Sequence, residues 1–153
     1  MTRSCLVCWM KYLHPDRLAA VSISAPGRPT FLDWEKDYYW GVKDWKELFG
    51  TEIDLEAMRK VPVQILVGGE DRKPIGEEFC GGCRVDRMKY LQNNFLQHQI
   101  AADLEIIPGI GHSDGGERIF MFHRKMRPVK QKTLQFYFAK KMEFWRKEFI
   151  IMP

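Results

Sequence analysis

Two short stretches carry residue types suited to acid–base chemistry: Val67-Gly68-Gly69-Glu70-Asp71 and Pro108-Gly109-Ile110-Gly111-His112-Ser113. Each follows an apolar run and so places a polar side chain just past what reads as a strand end. A carboxylate in that position can accept a hydrogen bond from an imidazole just past the next strand, an arrangement that would fix the histidine tautomer and steady an imidazolium. Taken singly, the two residues have plainer readings. An Asp after Gly-Gly-Glu is a common turn residue, and a lone histidine in a glycine-rich loop is more often surface than catalyst. His14, His98 and His123 have no comparable setting and read as structural or solvent-facing.

The four cysteines form two C-x-x-C pairs, Cys5/Cys8 and Cys80/Cys83. Zinc ribbons separate such pairs by about 15–20 residues, whereas here 71 residues lie between Cys8 and Cys80. Cys80-Gly81-Gly82-Cys83 is the better knuckle, because its glycines permit the tight turn that metal ligation needs. The expectation is no metal and free thiols, with Cys80 and Cys83 the residues a zinc ion would use.

The elements that must position these residues follow from hydrophobic spacing. Leu6, Trp9, Met10 and Leu13 recur at the intervals of a helix with one face on a core, and Pro15 stops it. Residues 18–24 then read as a buried strand closed by Ala25-Pro26-Gly27. Segment 28–60 gathers Phe31, Trp34, Tyr38, Tyr39, Trp40, Trp45 and Phe49 among charges. Asp44-x-x-Glu47 resembles a capping box, Gly50 a helix stop, and Asp54 a cap for a helix over 55–59. This aromatic insert is either a cap over an apolar substrate or simply the cover of the sheet.

Residues 61–67 form a near-continuous β-branched run, as expected of a strand covered on both faces. Met88, Leu91 and Phe95 mark a helix reaching about His98, and residues 104–107 a third strand. Strands alternating with helices imply βαβ units and a parallel sheet. Past Pro128, the residues Leu134, Phe138, Met142, Trp145, Phe149 and Met152 share one face of a basic amphipathic helix. Such a helix suits a partner groove or an anionic membrane surface; packing on the sheet is the plainer alternative.

Three motifs, His14-Pro15-Asp16-Arg17-Leu18, Val67-Gly68-Gly69-Glu70-Asp71 and Pro108-Gly109-Ile110-Gly111-His112-Ser113, stand in an order and spacing that resemble the α/β-hydrolase family over about residues 9–118. The first is similar to the end of the helix behind the nucleophile elbow. The second resembles the strand end that presents the triad acid, and the third the loop that presents the triad histidine. The resemblance implies esterase-like serine hydrolysis, with Asp71 as orienting acid, His112 as general base and Glu70 as fallback acid. It also implies a serine in a G-x-S-x-G elbow, roughly 13 residues before His14, and no G-x-S-x-G precedes Asp71; the pattern occurs at Gly111-His112-Ser113-Asp114-Gly115, after the acid rather than before it. Ser4 and Cys5 stand near that place without the flanking glycines. Loss of a triad nucleophile costs on the order of 10⁶ in turnover.

The expected fold is therefore α/β: a partial α/β-hydrolase fold of about three parallel strands with flanking helices, plus a basic C-terminal helix. Residues 1–125 would form the C-terminal portion of a hydrolase domain, with 28–60 as its cap-like insert, and 126–153 the tail. The chain is expected to be a truncated, inactive relative that takes a small ester or amide only if another chain completes it. No cofactor is implied. The competing function is a non-catalytic interaction protein that uses its open sheet edge or its tail to hold a protein partner or an anionic membrane surface.

Composition bounds these readings without choosing between them. With 45% hydrophobic and 29% charged residues among 153, the chain matches an ordinary globular domain. Its net charge of +4 is concentrated: Arg124 to Ile150 holds nine bases against two acids, and the preceding residues fifteen against eighteen. The excess thus belongs to the tail, and nucleic acid is not an expected partner. The apolar run near Met1 reaches Lys11 too soon for a signal peptide, which makes a cytoplasmic location the expectation.

Overall fold

The computed structural model describes residues 6–76, 78–112 and 116–126. The tail helix read from the sequence, together with Ser4, Cys5 and Ser113, lies outside the described residues. Helices α1 (Leu6–Leu13), α2 (Trp45–Phe49), α3 (Leu55–Arg59), α4 (Arg84–Gln97) and α5 (Gly116–Lys125) alternate with strands β1 (Val21–Ser24), β2 (Val63–Gly68) and β3 (Ala102–Ile107). The strands form one parallel sheet in the order β1-β2-β3. The architecture is α/β, three parallel strands flanked by helices, as the alternation of periods implied.

Local chemistry sets the boundaries. Pro15 opens a one-turn 3₁₀ helix, Pro15–Arg17, and Leu18 leaves it in extended geometry. The first strand therefore begins at Val21, three residues later than its apolar run suggested. Asp54 caps α3 by accepting from the Ala57 amide at 2.9 Å, and Gly50 ends α2 in the left-handed region at φ 70°. Asp44 sits at the N-cap of α2 without capping it. Its Oδ1 accepts instead from the Tyr38 amide at 2.7 Å, closing the aromatic loop back on itself.

Alternation along the strands gives the sheet two unlike faces. Val21, Ile23, Val63, Ile65, Val67 and Ala102 share the side on which α1 and α4 pack, in one core with Tyr12, Met88, Leu91 and Phe95. Across the other face, register places Ser22 beside Gln64 beside Asp103, and Ser24 beside Leu66 beside Glu105. α5 is fastened over this polar face. His123 Nε2 lies 3.1 Å from Ser22 Oγ, the Ser22 hydroxyl donates to Gln64 Oε1 at 2.8 Å, and Arg118 pairs with Glu105. No residue of α5 is buried. Among the described residues no helix is long and apolar enough to cross a membrane.

The aromatic segment is bound to α4 rather than left loose. Asn94 grips the backbone of Leu32 in both directions, accepting from its N–H at 2.8 Å and donating to its carbonyl at 3.1 Å. Asp33 then organises the following turn through Lys36 Nζ at 2.7 Å and the Glu35 amide at 2.9 Å. The Lys36 hydrogen bond holds the Asp33 carboxyl below its ordinary value, against the opposing effect of burial. A depressed folded value means stability present above the unfolded value and lost as pH falls. Acidification from about pH 6 to about pH 3 should therefore lower the melting temperature of the wild type more than that of Asp33→Asn. Equal losses would show that the pair contributes nothing.

Candidate acid–base site

The carboxyl ends of β2 and β3 are drawn together by backbone alone. Beyond the last ladder pair, Gly69 N–H donates to Ile107 O at 2.7 Å and Glu70 N–H to Ile110 O at 3.0 Å. The Asp71 amide turns back onto Gly68 O at 3.1 Å. Gly109, at φ 70°, reverses the chain after Pro108. Gly68 is what permits the approach: a Cβ there would lie 2.1 Å from Gly111 O and 2.3 Å from Ile110 O. A hydrogen is all that fits between the two loops.

These turns bring Asp71 and His112 together across 41 residues of sequence. His112 Nδ1 lies 2.8 Å from Asp71 Oδ2. A carboxylate only accepts, so the imidazole donates its Nδ1–H. The remaining nitrogen, Nε2, then carries the lone pair that can take a proton. The burial of the two partners is opposite: the Asp71 side chain is 1% exposed and that of His112 58%. A carboxylate shielded from water is thus paired with an imidazole that meets it.

Asp71 has a further partner. Arg84 Nη1 approaches its other oxygen, Oδ1, at 3.3 Å. Each oxygen of the buried carboxylate thus faces one cationic or donor group. Glu70, the fallback acid, is exposed, and its backbone rather than its carboxylate joins the two loops.

The other candidate residues fall elsewhere. His98 Nε2 lies 3.1 Å from Leu32 O and helps secure the aromatic segment, while His123 holds α5 to Ser22. Both positions agree with a structural reading. Cys80 and Cys83 are buried thiols, and Cys83 Sγ donates to Asp86 Oδ2 at 3.2 Å at the start of α4. Among the described residues no three or more His, Cys, Asp or Glu side chains gather as metal ligands. Among the described residues His112 bonds only Asp71. Ser4 and Cys5, which stand near the expected nucleophile position, are outside them.

Sequence reasoning missed Arg84 and Lys11. Arg84 stands at the first position of α4, where a cation opposes the positive end of the helix. That misfit was the available signal, since a base placed there calls for an acid from elsewhere. Lys11 read only as the end of an apolar run. It is fully buried, its ammonium donating to Met58 O at 2.9 Å and Val61 O at 2.8 Å.

Fold and site together define an α/β domain that presents an acid–histidine pair at the carboxyl ends of adjacent parallel strands, where function collects in such sheets. No family model matches the chain, and no curated protein does. Among solved structures it is similar to the crystal structure of LpqC, a poly(3-hydroxybutyrate) depolymerase from Bordetella parapertussis, with 23% sequence identity and a TM-score of 0.47. That likeness covers 61% of this chain and 36% of LpqC, so the chain spans about a third of that neighbour's length.

Proposed function

We propose that Asp71 and His112 are the orienting acid and general base of a serine-type, esterase-like α/β-hydrolase site, and that this chain supplies them without a nucleophile of its own. The observation that carries the reading is the 2.8 Å bond between His112 Nδ1 and Asp71 Oδ2 at the ends of β2 and β3. In acyl transfer, Nε2 would take the proton of an attacking hydroxyl, and Asp71 would stabilise the imidazolium so formed. The proton would then pass to the leaving group. The hydroxyl itself requires a sharp, glycine-flanked turn ahead of the acid in chain order, and no such motif precedes Asp71 in this sequence. A small ester or amide is the substrate class, and the nucleophile must come from outside these 153 residues.

Two measurements test the two halves of this reading. Long-range nitrogen–proton correlation spectra of the isotope-labelled chain report the neutral tautomer of His112. The Nδ1–H form is expected, converting toward Nε2–H in Asp71→Asn, and an Nε2–H wild type would sink the pair. Separately, the folded chain treated with an organophosphonate probe should keep its intact mass. A phosphonylated chain that loses the label in His112→Ala would keep the acid–base pair but overturn the absence of a nucleophile.

A further inference from the structure

Asp71 has two oxygens, and the site as described so far uses one. The other faces Arg84, whose Nη1 lies 3.3 Å from Oδ1 while His112 holds Oδ2. The Arg84 side chain is 21% exposed and that of Asp71 1%, so bulk salt screens this contact far less than a surface pair. The guanidinium also reaches the loop after β1: a Cβ added to Gly27 would sit 3.7 Å from Arg84 Nη2. One group thereby bonds the loop after β2 and lies beside the loop after β1.

The base of this bridge is fixed. One turn further along α4, buried Arg87 donates to the carbonyls of Gly27, Gly76 and Gly81. Its guanidinium packs 5.1 Å from the centre of the Trp40 ring. The start of α4 is therefore tied into both loops, and Arg84 projects from a rigid support. A carboxylate, by contrast, turns easily about its last torsion, which is broad and two-fold. A single hydrogen bond to a half-exposed imidazole leaves that rotation open.

We propose that Arg84 is a positioning residue for the acid–base pair. It engages Oδ1 and so presents Oδ2 to His112, and its charge compensates a carboxylate that water barely reaches. This rests on the reading of Asp71 and His112 as a working pair. Arg84 itself touches neither the imidazole nor any reacting atom.

The test uses the full chain and the tautomer of His112 as its readout. In Arg84→Gln, checked for folding by circular dichroism, the Nδ1–H population of neutral His112 should fall by at least about half. Arg84→Lys, which returns a charge to the same place, should restore most of it. A merely structural arginine would lower the melting temperature and leave the tautomer alone; an unchanged tautomer in folded Arg84→Gln therefore overturns the proposal. A wild-type chain already in the Nε2–H form would instead remove the pair itself, so the two failures are distinguishable. Should Arg84→Gln not fold, the wild type decides. Separately resolved guanidinium nitrogen resonances for Arg84 show the restrained rotation that engagement with Oδ1 requires, and a single averaged resonance overturns it.

Discussion

Gly68→Ala should cost about 3 kcal/mol and roughly 10 °C of melting temperature, although the change adds a single methyl group. The new Cβ would fall 2.1 Å from Gly111 O and 2.3 Å from Ile110 O. Both obstructing atoms are backbone, so no side chain can swing aside and the loop after β3 must retreat. The bond from Glu70 N–H to Ile110 O lies in that path, and His112 follows two residues later. Hence Asp71 and His112 should lose contact with both side chains intact, and neutral His112 should leave the Nδ1–H form. Gly82→Ala is the control, because nothing stands within 4 Å of a Cβ there. A Gly68→Ala protein as stable as Gly82→Ala, with the histidine tautomer kept, would show that the loops are not held as close as described.

Lys11→Met is expected to destabilise the chain by about 2–3 kcal/mol, measured by denaturant unfolding. Two effects oppose one another. Replacing a buried charge with an apolar side chain of similar length removes a desolvation penalty, and such exchanges are sometimes neutral or stabilising when both partners go. Here only one goes. The Lys11 ammonium donates to Met58 O and Val61 O, which belong to the last turn of α3 and the residues leading into β2. Met58 O keeps the Val61 N–H at 3.2 Å, but Val61 O cannot be removed by mutation and would lose the ammonium beside a thioether. The cost of stranding that carbonyl outweighs the relief. Lys11→Ala should cost more, because a cavity is added to the same loss. A Met variant of wild-type stability would mean that water or backbone readily takes the place of the ammonium.

The parts of this molecule that could be read from sequence are those fixed by near neighbours. The three strands were legible because runs such as residues 61–67 are β-branched and bounded by glycine. Gly50 and Asp54 were legible because caps act within one turn. Asp71 and His112 were singled out by glycine-flanked strand ends and by resemblance, and the structure brings them within hydrogen-bond distance. What escaped is long-range. Lys11 meets its carbonyls 47 and 50 residues away, and Arg84 meets Asp71 across a loop whose course no periodicity reveals. Asp44 had the spacing of a capping residue, yet Tyr38 competes for its carboxylate. Ser22 and Gln64 were swept into apolar runs, because β-branched neighbours dominate those windows and conceal the alternation of faces.

That alternation bears on how the chain behaves when it opens. α5 buries no residue and is the described helix with least to lose by lifting away. Its departure would leave Ser22, Gln64 and Glu105 open to water beside Ser24 and Asp103, which are exposed already, with Leu66 and Ile107 the apolar exceptions. Clumping begins where water meets long stretches of greasy strand, and this surface is instead mostly hydroxyl, amide and carboxylate. The chain can therefore breathe at its last described helix while staying dispersed, because the side of the sheet it bares is one that water already wets.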